Sequence, residues 1–156
     1  MKKGRTDVSD RNIRERLGDV PVPTFETTSF TVPPQLSQAT VAIVTTAGFR
    51  KSGDPSWRAK DASFRLFDAD DREMQLGHLS PNFDRSGFVA DINVVYPIDR
   101  LHEMAEEGLI GAVAPRHASF MGAQDETMET LRLDTGPALA KLLKEDGTDV
   151  VLLTPV

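Results

Sequence analysis

Polar residues of the kinds that bind small molecules and move protons are concentrated in three segments of the chain. They lie at residues 78–85, at Asp91 with Asn93, and at residues 116–122. The segments supply imidazole, guanidinium, carboxylate and hydroxyl groups, and histidine is the side chain that most readily exchanges a proton near neutral pH. His78 and His117 are therefore the first candidates for catalysis.

Each of these groups also has a structural interpretation. A histidine beside a strand, such as His117, is more often hydrogen-bonded within a fold than catalytic. Asp99 lies in the first turn of a predicted helix, where a carboxylate offsets the free amides. His78, Asp84 and Asp91 carry ligand atoms, but their spacing matches no known ligand template, so we predict no metal site.

The elements that must position these groups can be predicted from the apolar pattern. Apolar and β-branched runs predict strands at residues 40–46, 62–67, 109–114 and 150–156, with residues 91–96 as a further strand or an extended lead-in. Helices are predicted from residue 97 to Gly108, over 126–133, and from 135 to Gly147. This alternation predicts an α/β fold with an open, largely parallel sheet covered by helices.

The carboxyl edge of such a sheet is the expected site of chemistry. The loop after Thr46, the residues that follow Ala114, and the end of the last strand at Val156 all belong to that edge if the strands are parallel. We therefore expect three separate segments to meet in one polar crevice. Residues 150–156 are expected to be buried.

The first 38 residues differ from the rest, since they combine six basic side chains with a proline-rich stretch. We predict an extended, partly disordered N-terminal arm over 1–38 and an α/β domain over 39–156. The arm lacks interleaved aromatic residues, so a nucleic-acid partner is not expected.

Bulk composition narrows the function classes. The 156 residues carry a net charge of −6 and no apolar run long enough to span a bilayer, which predicts a cytoplasmic protein with neither nucleic acid nor membrane as a partner. The chain has no cysteine, which excludes disulfides, thiolate metal sites and a cysteine nucleophile within these residues. Its glycines form neither a dinucleotide-binding nor a phosphate-binding motif, so no bound cofactor is expected.

Longer stretches carry a more specific signal. They read VAIVTTAG at 41–48, DASFR at 61–65, NFDRSG at 82–87, DIN at 91–93, PIDRL at 97–101, EGLIG at 107–111, PRHASFMG at 115–122 and DVVLLTPV at 149–156. From about residue 39 onward the chain resembles the selenoprotein B family of glycine, sarcosine, betaine and D-proline reductases.

The resemblance implies a subunit that cleaves a C–N bond reductively. In that family the last strand leads into a loop bearing selenocysteine or cysteine, so the nucleophile is expected just after Val156 and is absent from this chain. A truncation at a selenocysteine codon is the corresponding expectation, and the chain alone should be inactive. A pyruvoyl group on a partner subunit, a thioredoxin-like reductant, an oligomeric assembly and a small amino-acid or amine substrate are implied as well.

In a full-length product, the crevice expected at the carboxyl edge would supply roles for the polar residues. Arg116 or Arg85 would hold the substrate carboxylate, and His117 or His78 would relay a proton to the departing amine. Asp91, Asn93 and Ser119 would complete the substrate-binding set. Two alternatives remain open: a non-catalytic subunit or small amino-acid-binding or amine-binding domain, and an unrelated enzyme that uses His78, Asp84 and His117.

Overall fold

The computed structural model describes residues 30–80, 85–124 and 127–156, together with seven single positions before residue 30. The chain divides into two compact units, residues 1–31 and 32–156. Most of the arm predicted for residues 1–38 lies outside the described residues. Residues 30–35, which are described, have no regular structure, and Phe30 and Val32 are exposed.

The second unit contains seven strands in its described residues. They are β1 Thr40–Thr45, β2 Phe49–Lys51, β3 Phe64–Asp68, β4 Met74–Leu76, β5 Ala112–Val113, β6 Arg116–Phe120 and β7 Val150–Thr154. The α-helices are α1 Ser86–Ala90, α2 Ile98–Glu106 and α3 Gly136–Glu145. Short 3-10 helices cover Leu36–Gln38 and Ile92–Val94, and a π-helical turn, Leu131–Thr135, leads into α3. The predicted α/β class is confirmed.

Strand β1 is the centre of the main sheet. It pairs in parallel with β7 along its length, from Val41 opposite Val150 to Thr45 opposite Thr154. It pairs in parallel with β5 at its beginning and with β6 at its end. Strand β3 joins the far side of β6 in antiparallel register, so the sheet is mixed but mostly parallel. Strands β2 and β4 form a separate antiparallel pair.

The two faces of the sheet pack against different helices, because successive side chains of a strand point to opposite faces. Val41 and Ile43 lie in one apolar cluster with Ile98 and Leu101 of α2. Ala42 lies in the other, which contains Leu139 and Leu143 of α3 together with Ala114 and Ala118. Small alanine side chains on this second face leave room for α3 to lie close to the strands.

Helices α2 and α3 end as the sequence predicts. Gly108 and Gly147 follow them with φ of 71° and 75°, a left-handed conformation that glycine adopts without a steric penalty. No helix in the described part of the chain has both the length and the apolar character needed to cross a bilayer.

Three expectations about the elements are wrong. Residues 116–120, expected in a loop, form β6, which lies on the same side of β1 as β5. Residues 92–94 form a 3-10 helix, which is neither of the two alternatives predicted for 91–96, a strand or an extended lead-in. Strand β7, expected to be buried, lies at the edge of the sheet, and its Val151, Leu152 and Leu153 are 40%, 38% and 68% exposed.

Candidate functional site

The carboxyl ends of β1, β6 and β7 meet at one edge of the sheet. The Thr46 hydroxyl, directly after β1, accepts a hydrogen bond of 2.9 Å from the Val156 amide and lies 3.2 Å from the Val156 carbonyl oxygen. The Thr46 amide donates to the carbonyl of Thr154. The segment after β6 lies against the same place, since Gly122 approaches the carbonyl oxygens of Val156 and Thr46. The three segments expected at this edge therefore meet there, and we call their meeting point the crevice, after the site that the sequence predicts.

Gly122, just after β6, lies where the three strand ends meet. A Cβ atom built on Gly122 would lie 2.6 Å from Nε2 of His78, 3.0 Å from the Val156 carbonyl oxygen and 3.1 Å from the Thr46 carbonyl oxygen. The imidazole of His78 thus approaches the strand ends through the space that a side chain at 122 would occupy. Only glycine permits this approach.

His78 follows β4 and is 5% exposed. Its Nδ1 accepts a hydrogen bond of 3.2 Å from the Ser80 amide, so the neutral ring carries its proton on Nε2, the atom beside Gly122. Burial, and to a smaller extent the positive charge of Arg85, lower the pKa of His78 below its ordinary value of 6.5. The crevice therefore contains a neutral imidazole at pH 7.

Arg85 is the second predicted site residue at this edge. Its guanidinium donates a hydrogen bond of 2.8 Å from Nη2 to the His78 carbonyl oxygen. Arg85 is exposed and precedes α1, while residues 81–84 of the same predicted segment, including Asp84, lie outside the described residues. The structure thus brings His78 and Arg85 together.

His117 lies in the interior and not in the crevice. It is fully buried in β6, its Nδ1 accepts a hydrogen bond of 2.9 Å from the Ile43 amide, and its ring makes an edge-on contact with Tyr96, with centroids 5.7 Å apart. Burial lowers the pKa of His117 to about 4, and the charges of His102 and Arg72 act in the same direction. The expectation that His117 emerges on an edge loop is therefore wrong.

The side chains of Arg116 and Ser119 also form hydrogen bonds within the fold. Arg116, at the amino end of β6, donates two hydrogen bonds of 2.7 Å to the carboxylate of Asp146, just after α3. The fully buried Ser119 hydroxyl accepts from the Phe49 amide at 2.9 Å. Their expected placement in a loop at the carboxyl edge is wrong, because β6 runs through both positions.

Asp91 and Asn93 form a network with Asp99 at the start of α2. The Asp91 carboxylate accepts from the amide and the side-chain nitrogen of Asn93, both at 2.9 Å. Asn93 in turn donates to the Asp99 carboxylate at 2.9 Å and accepts from the Asp99 amide at 3.1 Å. These contacts hold the chain reversal before α2, and the hydrogen bonds from Asn93 lower the pKa of Asp91.

The sequence interpretation missed Trp57 and Arg65, which lie beside the crevice. The indole packs on Gly77, the residue before His78, and a Cβ there would lie 2.5 Å from Cδ1 of Trp57. The guanidinium carbon of Arg65 lies 4.3 Å from the centroid of the indole. The only signal in the sequence was that the chain has a single tryptophan, placed in a predicted loop.

Metal binding has no geometric support in the part of the chain that the structure describes. There, no group of three or more histidine, aspartate or glutamate side chains could hold a metal ion. The groups that meet at this edge are instead the imidazole of His78, the carbonyl oxygens of Thr46 and Val156, and the nearby guanidinium of Arg85.

Comparisons with known proteins agree with the resemblance of the sequence segments. The D-proline reductase subunit gamma of Acetoanaerobium sticklandii is 39% identical over 123 residues, covering 77% of this chain and 50% of that protein. The betaine reductase complex component B subunit beta of Peptoclostridium acidaminophilum is 30% identical over 144 residues, covering 87% and 32%. The glycine reductase complex component B subunit gamma of Carboxydothermus hydrogenoformans is 30% identical over 152 residues.

The chain spans about half of the first of these relatives and about a third of the others. No solved structure matches it. The family model described as glycine/sarcosine/betaine reductase selenoprotein B matches residues 12–156, nearly the whole chain. The chain belongs to the glycine/sarcosine/betaine reductase selenoprotein B family.

Proposed function

We propose that this chain forms part of the substrate site of an amino-acid reductase that cleaves a C–N bond of glycine, sarcosine, betaine or D-proline. The observation that supports this most directly is the meeting of His78 with the carboxyl ends of β1, β6 and β7. The names of the relatives describe subunits of reductases for these four compounds. Each compound is a small carboxylate with a nitrogen on the neighbouring carbon.

The reaction needs a strong nucleophile that these residues do not contain, because the chain has no cysteine. We propose that a selenocysteine or cysteine from polypeptide outside the 156 residues enters the crevice beside Val156. Its anion attacks the carbon that bears the nitrogen, the C–N bond breaks with both electrons on nitrogen, and nitrogen gains a proton. A thioredoxin-like dithiol then supplies two electrons and two protons and becomes a disulfide. The bond between carbon and selenium or sulfur breaks, the carbon gains one proton, and the selenol or thiol is regenerated.

His78 supplies the hydrogen-bond donor of this site. Its neutral ring holds a proton at Nε2. This atom lies 2.6 Å from the position that a Cβ on Gly122 would occupy, and the Val156 carbonyl oxygen lies 3.0 Å from the same position. A donor there stabilises the anionic nucleophile and faces the departing nitrogen. Arg85 positions the segment that contains His78, through its hydrogen bond to the His78 carbonyl oxygen. Asp91 and Asn93 have an indirect role, because their hydrogen bonds hold the start of α2.

Two further components belong to the proposal. A pyruvoyl group on a partner subunit would activate the substrate nitrogen, and no residue of this chain is assigned to it. The partner and the reductant would assemble with this subunit, in keeping with relatives named as parts of reductase complexes.

Reconstitution tests the proposed function. The chain would be extended after Val156 by a short segment with one cysteine and assembled with a pyruvoyl-containing subunit and a dithiol reductant. We expect ammonia from glycine, methylamine from sarcosine, trimethylamine from betaine or 5-aminovalerate from D-proline. His78→Phe should lower the rate by about 10²-fold or more, the usual contribution of a positioned proton donor.

His102→Gln is the matched control, because His102 lies on α2 and contacts the Ala69 carbonyl oxygen at 3.5 Å instead of the crevice. It should leave the rate unchanged. Product release that is equal without the cysteine, or equal in His78→Phe, would contradict the proposal.

A further inference from the structure

Trp57 is the single tryptophan of the chain and is buried outside both apolar clusters. Its Nε1–H is buried and has no hydrogen-bond partner among the described residues. A tryptophan that is buried in a fold usually finds an acceptor for this group. The unsatisfied indole donor therefore indicates an acceptor that the described part of the chain does not itself supply.

Arg65 has a second unsatisfied donor at the same place. Its guanidinium lies over the indole at 4.3 Å, and Nη1 donates to the Ser63 hydroxyl at 2.8 Å and to the Phe64 carbonyl oxygen at 3.2 Å. Its Nε–H is buried without a partner among the described residues. No described carboxylate forms an ion pair with Arg65.

These two donors lie next to the crevice. Nε1 of Trp57 is 3.2 Å from the point that a Cβ on Gly77 would occupy, and the Gly77 amide donates to the Gly48 carbonyl at 2.9 Å. Gly48 in turn packs against the backbone of His78, since a Cβ on Gly48 would lie 3.2 Å from its Cα. The Trp57 indole thus packs on Gly77, and His78 is the next residue in the chain.

We propose that Trp57 and Arg65 form an anion subsite that binds the carboxylate of the substrate. This inference rests on the proposed function for the identity of the substrate. A carboxylate offers two acceptor oxygens and one negative charge, which match the Nε1–H of Trp57 and the guanidinium of Arg65. In all four compounds named for the relatives, this group is attached to the carbon whose bond to nitrogen is broken.

Asp61 sets the charge that the subsite accepts. Burial raises the pKa of Asp61, but the hydrogen bonds from Ser63 and the charge of Arg65 outweigh it and lower the pKa overall, so this carboxylate is ionised at pH 7. Gln124 donates to the Asp61 carbonyl at 2.8 Å and keeps this loop beside the segment after β6. The ionised Asp61 offsets part of the positive charge of Arg65 and repels a phosphate dianion more strongly than a carboxylate monoanion.

Fluorescence of the single tryptophan measures binding in the isolated chain. Glycine betaine and sodium acetate should each change the Trp57 emission in a saturable way, whereas choline, which replaces the carboxylate of betaine by an alcohol, should not. Arg65→Gln should weaken betaine binding by at least tenfold. Arg65→Lys, which keeps the charge but loses the planar fork, should weaken it by a smaller factor.

Two further variants complete the test. Arg58→Gln is the matched control, because Arg58 is exposed next to Trp57, and it should bind betaine as the unchanged chain does. Trp57→Phe removes only the N–H from the ring stack and, read by calorimetry, should also bind more weakly. Equal affinity in Arg65→Gln, an equal response to choline, or tighter binding of inorganic phosphate would overturn the subsite.

The binding test can succeed or fail independently of the reconstitution test of the proposed function, because carboxylate binding requires neither the nucleophile nor the partner subunit. Binding without any reductive cleavage in the assembled complex would contradict the reaction and leave the subsite in place. Cleavage that proceeds at the same rate and the same KM in Arg65→Gln would contradict the subsite alone.

Discussion

Arg116 and Asp146 form a two-fold hydrogen bond: Nε of Arg116 lies 2.7 Å from Oδ2 of Asp146, and Nη2 lies 2.7 Å from Oδ1. This fork joins the amino end of β6 to the turn after α3, so it fixes the helix that covers the second apolar cluster. A guanidinium engaged in this way is not available to a substrate. The ion pair also makes the pH dependence of stability predictable.

Asp146→Asn should lower the free energy of unfolding at pH 7, because the amide loses the charge that Arg116 stabilises. Arg116 holds the pKa of Asp146 below its ordinary value of 3.8. The stabilisation is therefore present above that value and is lost as the pH falls through the lower pKa of the folded state. Urea unfolding at pH 7 and at pH 3 should show a difference between the two proteins that shrinks at the lower pH.

Lys141→Ala serves as the comparison, because Lys141 and Glu145 form an exposed pair at 3.9 Å. Exposed pairs of this kind contribute little to stability. A loss in Lys141→Ala as large as the loss in Asp146→Asn would show that the fork has no special role.

Ser119→Ala should destabilise the protein by about 1–3 kcal/mol, since it leaves the Phe49 amide buried without its 2.9 Å hydrogen bond. Thr148→Val provides the opposite case. The Thr148 hydroxyl is buried without a partner among the described residues, so its replacement by a methyl group should be neutral or stabilising. Urea denaturation of the two variants measures both effects, and equal losses would contradict the assignment of Ser119.

His117 should make the folded state less stable as the pH falls from 6.5 to 4. Its pKa is about 4 in the folded state and has an ordinary value of 6.5, so the unfolded chain binds more protons in this range and stability rises with pH. The full effect is about 3 kcal/mol. His117→Gln should flatten this dependence of the unfolding free energy, with a remaining slope from His78, whose pKa is also lowered.

Nuclear magnetic resonance of the imidazole protons provides the direct check on His117. Its signals should not titrate between pH 8 and pH 5, while those of an unfolded sample shift near pH 6.5. A folded-state titration midpoint near 6.5 would contradict the burial argument and restore His117 as a proton relay.

The best-predicted elements are those with a continuous local signal. The run of β-branched residues at 40–46 predicts β1 within one residue of its observed end, and Gly108 and Gly147 mark the ends of α2 and α3. In each case the determinant is the residue itself, either a stiff branched side chain or the freedom of glycine at positive φ. The α/β class follows from the order of these elements.

The segment 116–120 shows why the rest could not be predicted. Pro115 interrupts the hydrogen-bonding pattern between β5 and β6, and the polar His117 and Ser119 resemble loop residues. They are tolerated in a buried strand because the amides of Ile43 and Phe49 donate to them. Such partners are 74 and 70 residues away in sequence, so no local pattern can indicate them.

The residues of the candidate site also fall into two groups, those that the sequence predicts and those that it does not. His78 was predicted from its own chemistry, and the structure places it at the expected edge. Trp57 and Gly122 were missed because their importance depends on contacts: an indole against Gly77 and a vacant Cβ position beside His78. A glycine that makes room for another residue looks in the sequence like any glycine in a turn.

Gly122→Ala should disturb the crevice more than the fold. Its added methyl group would lie 2.6 Å from Nε2 of His78, 3.0 Å from the Val156 carbonyl oxygen and 3.1 Å from the Thr46 carbonyl oxygen. The imidazole must therefore move away from Val156. We expect a loss of roughly 1–3 kcal/mol in unfolding free energy, typical of added volume in a packed region, together with shifted imidazole signals of His78.

Gly87→Ala is the matched control. The atom nearest to its new methyl group is Cγ1 of Val94 at 3.3 Å, and alanine favours the α1 helix by about 1 kcal/mol relative to glycine. It should keep the His78 signals in place, and unshifted His78 signals in Gly122→Ala would mean that the imidazole does not occupy the space beside that glycine.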